Sequence, residues 1–221
     1  TPVDISGGDL LFLQYTGGTT GLSKGAELTH RNLVANILQF TLPLGADIRE
    51  RAEVVITALP LYHIFALMVN CLSYFTKGGR NVLITNPRDM PGFVAELSNW
   101  KFSVITGVNT LFNGLLHTPG FAECDFSNLR LTGGGGTAIQ EAISNKWREV
   151  TGQHITEGYG LSETSPVATF NVPGQDEFTA TIGVPLASTD IVLRGDEGED
   201  VAQGEPGELC IKGPQVMIGY W

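Results

Sequence analysis

The chain has 221 residues, 42% of them hydrophobic and 16% charged, with a formal net charge of −10. That composition supports a sizeable core, and the acidic balance excludes sequence-independent nucleic-acid binding, which needs a basic surface. No apolar run reaches the ~18 residues of a membrane span, and three scattered cysteines (Cys71, Cys124, Cys210) without C-x-x-C spacing exclude a disulfide framework or a zinc site. Scattered free thiols fit a cytoplasmic protein. The opening Thr1-Pro2-Val3, with no initiating Met and no signal-like run, reads as the interior of a longer chain.

In chain order, the apolar run Leu10–Tyr15 predicts a strand that breaks into Thr16-Gly17-Gly18-Thr19-Thr20-Gly21 and closes on Lys24. Glycines let backbone N–H groups turn toward one point, threonine hydroxyls add donors, and the lysine adds a mobile positive charge. That assembly suits a triphosphate. It is not the P-loop, because Ser23-Lys24-Gly25 stands where Gly-Lys-Ser/Thr is required. The plain alternative is a flexible glycine-rich surface turn.

A helix follows over residues 30–40, with Leu33, Ile37 and Phe40 on its apolar face, Val34 and Leu38 beside them, and Thr29 as its cap. Val54–Leu59 predicts a strand and Ile64–Phe75 a buried helix. Strands at Asn81–Thr85, Ser103–Gly107, Leu129–Thr132 and His154–Glu157 alternate with helices at Pro91–Trp100, Thr110–His117 and Ala138–Val150. The last helix carries the stripe Ile139, Ile143, Trp147 and Val150, a Thr137/Gln140 capping box, and Gly152 as its stop. This alternation predicts an α/β fold, parallel strands layered with helices on both faces, with ligands at the carboxyl ends of the strands. Past residue 170 the helical period disappears, and Ile191–Leu193 and Glu208–Lys212 predict a small antiparallel β subdomain. The implied division is 1–50, 51–170 and 171–221.

Two further motifs carry chemistry. Glu157-Gly158-Tyr159-Gly160-Leu161-Ser162-Glu163-Thr164 supplies an aromatic face, a hydroxyl and a carboxylate at a strand end. Glu163 beside a phosphate site suggests Mg2+, which would bridge the two anions; the plain alternative is a turn with a solvated glutamate. A nucleophile elbow fails, because Thr164 holds the last glycine position. Gly133-Gly134-Gly135-Gly136-Thr137 lets a flat ligand approach the backbone closely. Gly133-x-Gly135-x-x-Ala138, with Glu157 at a ribose-contacting distance, also meets the loose dinucleotide fingerprint, so an NAD(P)- or FAD-dependent oxidoreductase is an alternative. His63 lies just past a strand end, where a lone histidine is more often structural. His30, His117 and His154 receive no role.

Taken in order, the motifs YTGGTTG, THRNLVANI, TALPLYHIFAL, LITNPRDMPG, TGVNTLFNGLL, EGYGLSET and GELCIKGPQVMIGYW resemble the adenylate-forming superfamily, in particular bacterial long-chain fatty-acid–CoA ligases. The resemblance implies ATP, Mg2+ and coenzyme A as cofactor and co-substrates and a fatty acid as substrate. It places Thr16 through Gly21 and Lys24 on the β- and γ-phosphates. Gly135, Gly136, Thr137, Tyr159 and Gly160 form an adenine slot with Glu157 and Gly158 alongside, and Ser162, where the family usually has Thr, contacts the α-phosphate or substrate carboxylate. It puts Glu163 on the metal, His63 beside the acyl carboxylate, and Gly107 and Val108 along the acyl site. Ala138 and Asn109 replace prolines of many relatives. The ribose-binding aspartate, hinge, lid lysine and a Thr-Gly-Asp are expected beyond Trp221, so the segment alone should show negligible turnover. A fatty-acyl-AMP ligase feeding a carrier protein is a further alternative, and a fatty substrate makes peripheral association with the inner membrane face plausible.

Overall fold

A computed structural model describes residues 3–16, 23–44, 48–175 and 177–221. The glycine–threonine loop at 17–22 therefore lies outside the described residues. Strand β1 (Leu10–Thr16) pairs antiparallel with β2 (Lys24–Thr29), with Thr16 opposite Lys24. The loop thus joins two strands of a hairpin, where the sequence suggests a strand leading toward a helix. Helix α1 (His30–Leu44) follows directly, and the Thr29 hydroxyl accepts the Asn32 N–H at 3.2 Å, as a capping residue does.

Seven of the remaining strands build one sheet in the order β4-β3-β5-β6-β7-β8-β9. Its members are β3 (Val54–Thr57), β4 (Arg80–Leu83), β5 (Val104–Gly107), β6 (Leu131–Gly134), β7 (Ile155–Gly160), β8 (Val167–Phe170) and β9 (Val184–Pro185). The first five run parallel, while β8 and β9 add antiparallel at one edge. A separate hairpin, β10 (Asp190–Arg194) with β11 (Glu208–Lys212), is the expected small antiparallel sheet.

Successive strand residues point to opposite faces, and each face has its own core. On one, Ile56, Ile105 and Ile155 meet α3 (Met90–Leu97), α4 (Asn109–Leu116) and α5 (Glu141–Thr151), around a fully buried Trp147. On the other, Val55, Val104 and Leu131 meet α1 and a π-helical segment, Ala66–Leu72, that ends in the single turn α2 (Ser73–Phe75). Both faces are covered, as the alternation requires.

Three expectations need correction. Helix α5 starts at Glu141, so Thr137 and Gln140 form no capping box; Gln140 itself is the cap residue, and its N–H is bound by Asn109 Oδ1 at 2.9 Å. Gly152 does end the helix, at φ 79°. Val34 and Leu38 face outward, 54% and 48% exposed. The inner face of α1 is partly polar instead: Asn32, Asn36 and Gln39 are buried beside Leu33 and Phe40 and clamp backbone of later segments. Third, Ile64–Phe75 is not a uniform α-helix. The π-helical insertion aims buried Asn70 at the sheet, where Asn70 Nδ2 donates to Thr57 Oγ1 (3.2 Å) and Asn70 Oδ1 accepts from Thr106 (2.9 Å). Among the described residues, no helix is long and apolar enough to cross a membrane.

Candidate functional site

The carboxyl ends of the parallel strands open into a cleft of about 690 Å3, within the size range of small-molecule sites. Four segments distant in sequence converge on it: the neck of the hairpin at Thr16, the turn at His63, Gly133–Gly136 at the end of β6, and 158–163 after β7. Its deeper wall is apolar, formed by Phe40, Val69, Leu131, Val167 and Phe170. Phe40 and Phe170 meet edge to face, with centroids 5.4 Å apart.

Local structure sets each polar group. Ser23 Oγ donates to the Thr16 carbonyl at 2.7 Å and closes the neck of the loop. Gln14 Nε2 donates to the Tyr62 carbonyl at 3.1 Å, tying the hairpin to the His63 turn. His63 is exposed at the helix start, and its Nδ1 accepts the Phe65 N–H at 3.2 Å. That bond leaves the proton of the neutral imidazole on Nε2. The single 3-10 turn Ser162–Thr164 presents Ser162 and Glu163; Thr164 Oγ1 locks it by accepting the Leu161 N–H at 2.9 Å.

Glycine shapes the walls. A Cβ on Gly160 would lie 1.8 Å from the Pro166 carbonyl oxygen, so β8 can approach β7 only because none is present. A Cβ on Gly135 would enter the cleft 3.2 Å from the Gly158 carbonyl oxygen and 3.5 Å from the Phe65 ring, and Gly136 has φ 75°.

Of the residues singled out from sequence, Thr16, His63, Gly135, Gly136, Gly158, Tyr159, Gly160, Ser162 and Glu163 line this cleft. Gly17, Gly18, Thr19, Thr20 and Gly21 lie outside the described residues. Thr137, Gly107 and Val108 are not among the lining residues. Gly107 pairs with Gly134, and its missing Cβ leaves room for Leu111 and Phe112 of α4. Glu157 turns away toward the lead-in to α5, where its carboxylate accepts the Ile139 N–H at 3.3 Å. Burial pushes the Glu157 carboxyl up, with that bond opposing.

Lys24 stands outside the cleft wall, exposed at the start of β2. Its ammonium lies 5.1 Å from the ring centroid of Tyr220, whose hydroxyl donates to Glu163 Oε1. Tyr220 falls within the GELCIKGPQVMIGYW motif, which assigns it no role. It reaches the site because 217–221 returns to the edge of β2, with Glu27 N–H bonded to the Gly219 carbonyl at 2.9 Å and Trp221 N–H to the Gly25 carbonyl at 2.9 Å. The resemblance also implies that the apolar helix after His63 lies near the acyl site, and Val69 of that segment does line the cleft; Phe40 and Phe170 carry no such signal.

The glycine run does not continue into a helix: six residues separate Gly134 from Glu141, and Ala138 is not helical. A dinucleotide fingerprint needs that helix, so the oxidoreductase alternative loses its structural basis. Among the described residues no group of three or more His, Cys, Asp or Glu forms a metal cage. Glu163 alone fits a Mg2+ that keeps most of its ligands as water and phosphate oxygens.

A mixed sheet, parallel over five strands, covered on both faces and opening a glycine-walled cleft at its strand ends, is here the fold of an adenylate-forming enzyme's N-terminal domain. The family model of AMP-binding enzymes matches residues 1–221, and the chain belongs to that family. It is 54% identical over 218 residues to a long-chain-fatty-acid–CoA ligase of Yersinia pestis, covering 99% of this chain and 39% of that protein. A ligase of the same name in Bacillus subtilis is 37% identical over 214 residues, covering 96% of this chain and 38% of that protein. The chain thus spans about two fifths of the length of these relatives. Among solved structures, ATP-bound MatB from Rhodopseudomonas palustris superposes with a TM-score of 0.86 at 28% identity, over 99% of this chain and 42% of that one. A long-chain-fatty-acid–CoA ligase from Archaeoglobus fulgidus gives 0.79 at 26%, over 94% and 42%.

Proposed function

We propose that this chain is the nucleotide- and acyl-binding core of an ATP-dependent fatty-acid–CoA ligase. In the first step a substrate carboxylate oxygen attacks the α-phosphorus of ATP and pyrophosphate leaves, giving acyl-AMP. In the second the thiol of coenzyme A attacks the acyl carbon, AMP departs, and the thiol proton is lost. No protein nucleophile is needed. What the protein must supply is alignment of two anions and neutralisation of their charge.

The observation that carries the reading is the convergence of the hairpin neck, His63, the 133–136 glycines and the Ser162–Glu163 turn on one cleft with an apolar deep wall. In this reading the Nε2–H of His63 donates to the acyl carboxylate, and the alkyl chain lies against Phe40, Val69 and Phe170. The open edges of Gly135, Gly136 and Tyr159 hold the adenine. Thr16 through Gly21 and Lys24 would meet the β- and γ-phosphates, Ser162 the α-phosphate or the substrate carboxylate, and Glu163 would hold the Mg2+. That ion would supply charge neutralisation of the phosphates. Relatives named long-chain-fatty-acid–CoA ligases support a fatty acid as the carboxylate.

The test is pyrophosphate release by the intact protein across a carboxylate series, with and without coenzyme A. Release that requires a fatty acid, and thioester formation with coenzyme A, are expected; release without thioester would indicate a carrier-protein acceptor. Lys24→Ala and Glu163→Ala should each lower adenylation by about 100-fold or more. Wild-type rates in both variants would refute the assignment.

A further inference from the structure

Lys24 and Glu163 carry opposite charges on neighbouring elements, yet neither forms an ion pair among the described residues. Tyr220 stands between them, its hydroxyl on the carboxylate and its ring facing the ammonium at 5.1 Å. The placement is built by the backbone. Tyr220 sits opposite Ala26 across the edge of β2, which makes Lys24 its diagonal neighbour. Met217 N–H binds the Glu163 carbonyl at 2.8 Å, so the same short segment fixes the turn that presents the carboxylate.

We propose that Tyr220 is a positioning residue, a spacer that keeps the Lys24 ammonium and the Glu163 carboxylate apart and aimed at a metal–triphosphate. Without it, the two charges are free to close into a direct ion pair that each incoming nucleotide must break. The aromatic face satisfies the ammonium weakly, and the phenol gives the carboxylate one fixed donor while leaving its other lone pairs open. The inference rests on the reading of the site given above.

The experiment uses the intact protein, Tyr220→Phe and Tyr220→Leu, with ATP binding followed by calorimetry with and without Mn2+, and bound Mn2+ counted by electron paramagnetic resonance. Phenylalanine keeps the ring and loses the hydroxyl. It should weaken Mn2+-dependent ATP binding by about fivefold and leave metal-free binding unchanged. Leucine loses both contacts and should weaken metal-free binding as well. A Tyr220→Phe protein that matches wild type in Mn2+-dependent ATP binding overturns the inference alone. Failure of the wild-type protein to bind ATP overturns the site reading and the inference together.

Discussion

Asn36→Ala should destabilise the protein far more than a polar-to-alanine change on a helix ordinarily does. Asn36 is fully buried on α1 and makes a peptide-like pair with the backbone of β8: its Nδ2 donates to the Val167 carbonyl at 2.7 Å, and its Oδ1 accepts the Val167 N–H at 3.0 Å. Alanine removes both bonds at once, together with the 3.1 Å bond that Nδ2 donates to Gln39 Oε1, and leaves a small void. A buried hydrogen bond contributes about 1 kcal/mol net, and leaving its partner unmatched costs about 1–3 kcal/mol. The expected loss for the pair is therefore about 2–4 kcal/mol. Asn36→Asp should be at least as damaging, because the carboxylate can accept from the Val167 N–H but only repels its carbonyl. Val167 lines the cleft, so the same variants should raise the KM for the acyl substrate. Urea denaturation of the intact protein, followed by tryptophan fluorescence, measures the loss. A change below about 1 kcal/mol for Asn36→Ala would refute the claim that this pair holds β8 against α1.

Glu53→Gln should flatten the acid limb of the stability profile. Burial pushes the Glu53 carboxyl up, but the nearby Ser103 hydroxyl and hydrogen bonds from Arg130 and the Arg49 N–H outweigh it, so the carboxyl sits below its ordinary 4.5. Because the folded value is depressed, the stability it confers is present above the ordinary value of 4.5 and is lost as pH falls from there through the folded value. Urea midpoints at pH 7 and pH 3 should therefore differ less in the variant than in wild type; equal slopes would contradict this. Gly135→Ala should raise the KM for ATP several-fold and lower the melting temperature somewhat, since its Cβ would lie on the cleft wall 3.2 Å from the Gly158 carbonyl oxygen, tighter than ordinary contact; an unchanged KM would remove Gly135 from the nucleotide slot.

The parallel strands were legible because β-branched runs such as Val54–Thr57 and Val104–Thr106 are apolar on both sides, as buried parallel strands must be. Strand β2 was not, because Lys24, Ala26 and Leu28 alternate with Gly25, Glu27 and Thr29 too weakly to announce a period. Nor was β8, only four residues long and dependent on β7 and Asn36 for its place. The inward polar stripe of α1 defeats an apolar template altogether: Asn32, Asn36 and Gln39 sit where helical periodicity expects hydrophobes, and beside local partners each binds a backbone carbonyl more than 130 residues away. Short motifs located most of the cleft because they fall at the ends of adjacent parallel strands. The role of Tyr220, and the arrival of Phe40 and Phe170 at the cleft, needed the return of distant chain to that point, which no local pattern encodes.

The glycines divide in a way the motifs conceal. Gly158 and Gly160 are required by packing: a Cβ would meet the Phe170 ring at 2.7 Å in one case and the Pro166 carbonyl oxygen at 1.8 Å in the other. Gly134 is likewise spent on close approach, with Ile155 at 2.7 Å and Ile139 at 2.9 Å. Gly133 has only the Thr106 methyl at 3.4 Å, and Gly136 only Val108 at 3.7 Å. At Gly133 ordinary contact would admit a side chain, so its absence leaves open space along the cleft wall. Two adjacent residues in one four-glycine run therefore answer to different constraints, one to the sheet and one to the cavity. Substitution should separate them accordingly: Gly134→Ala through folding, Gly133→Ala through what the cleft can hold.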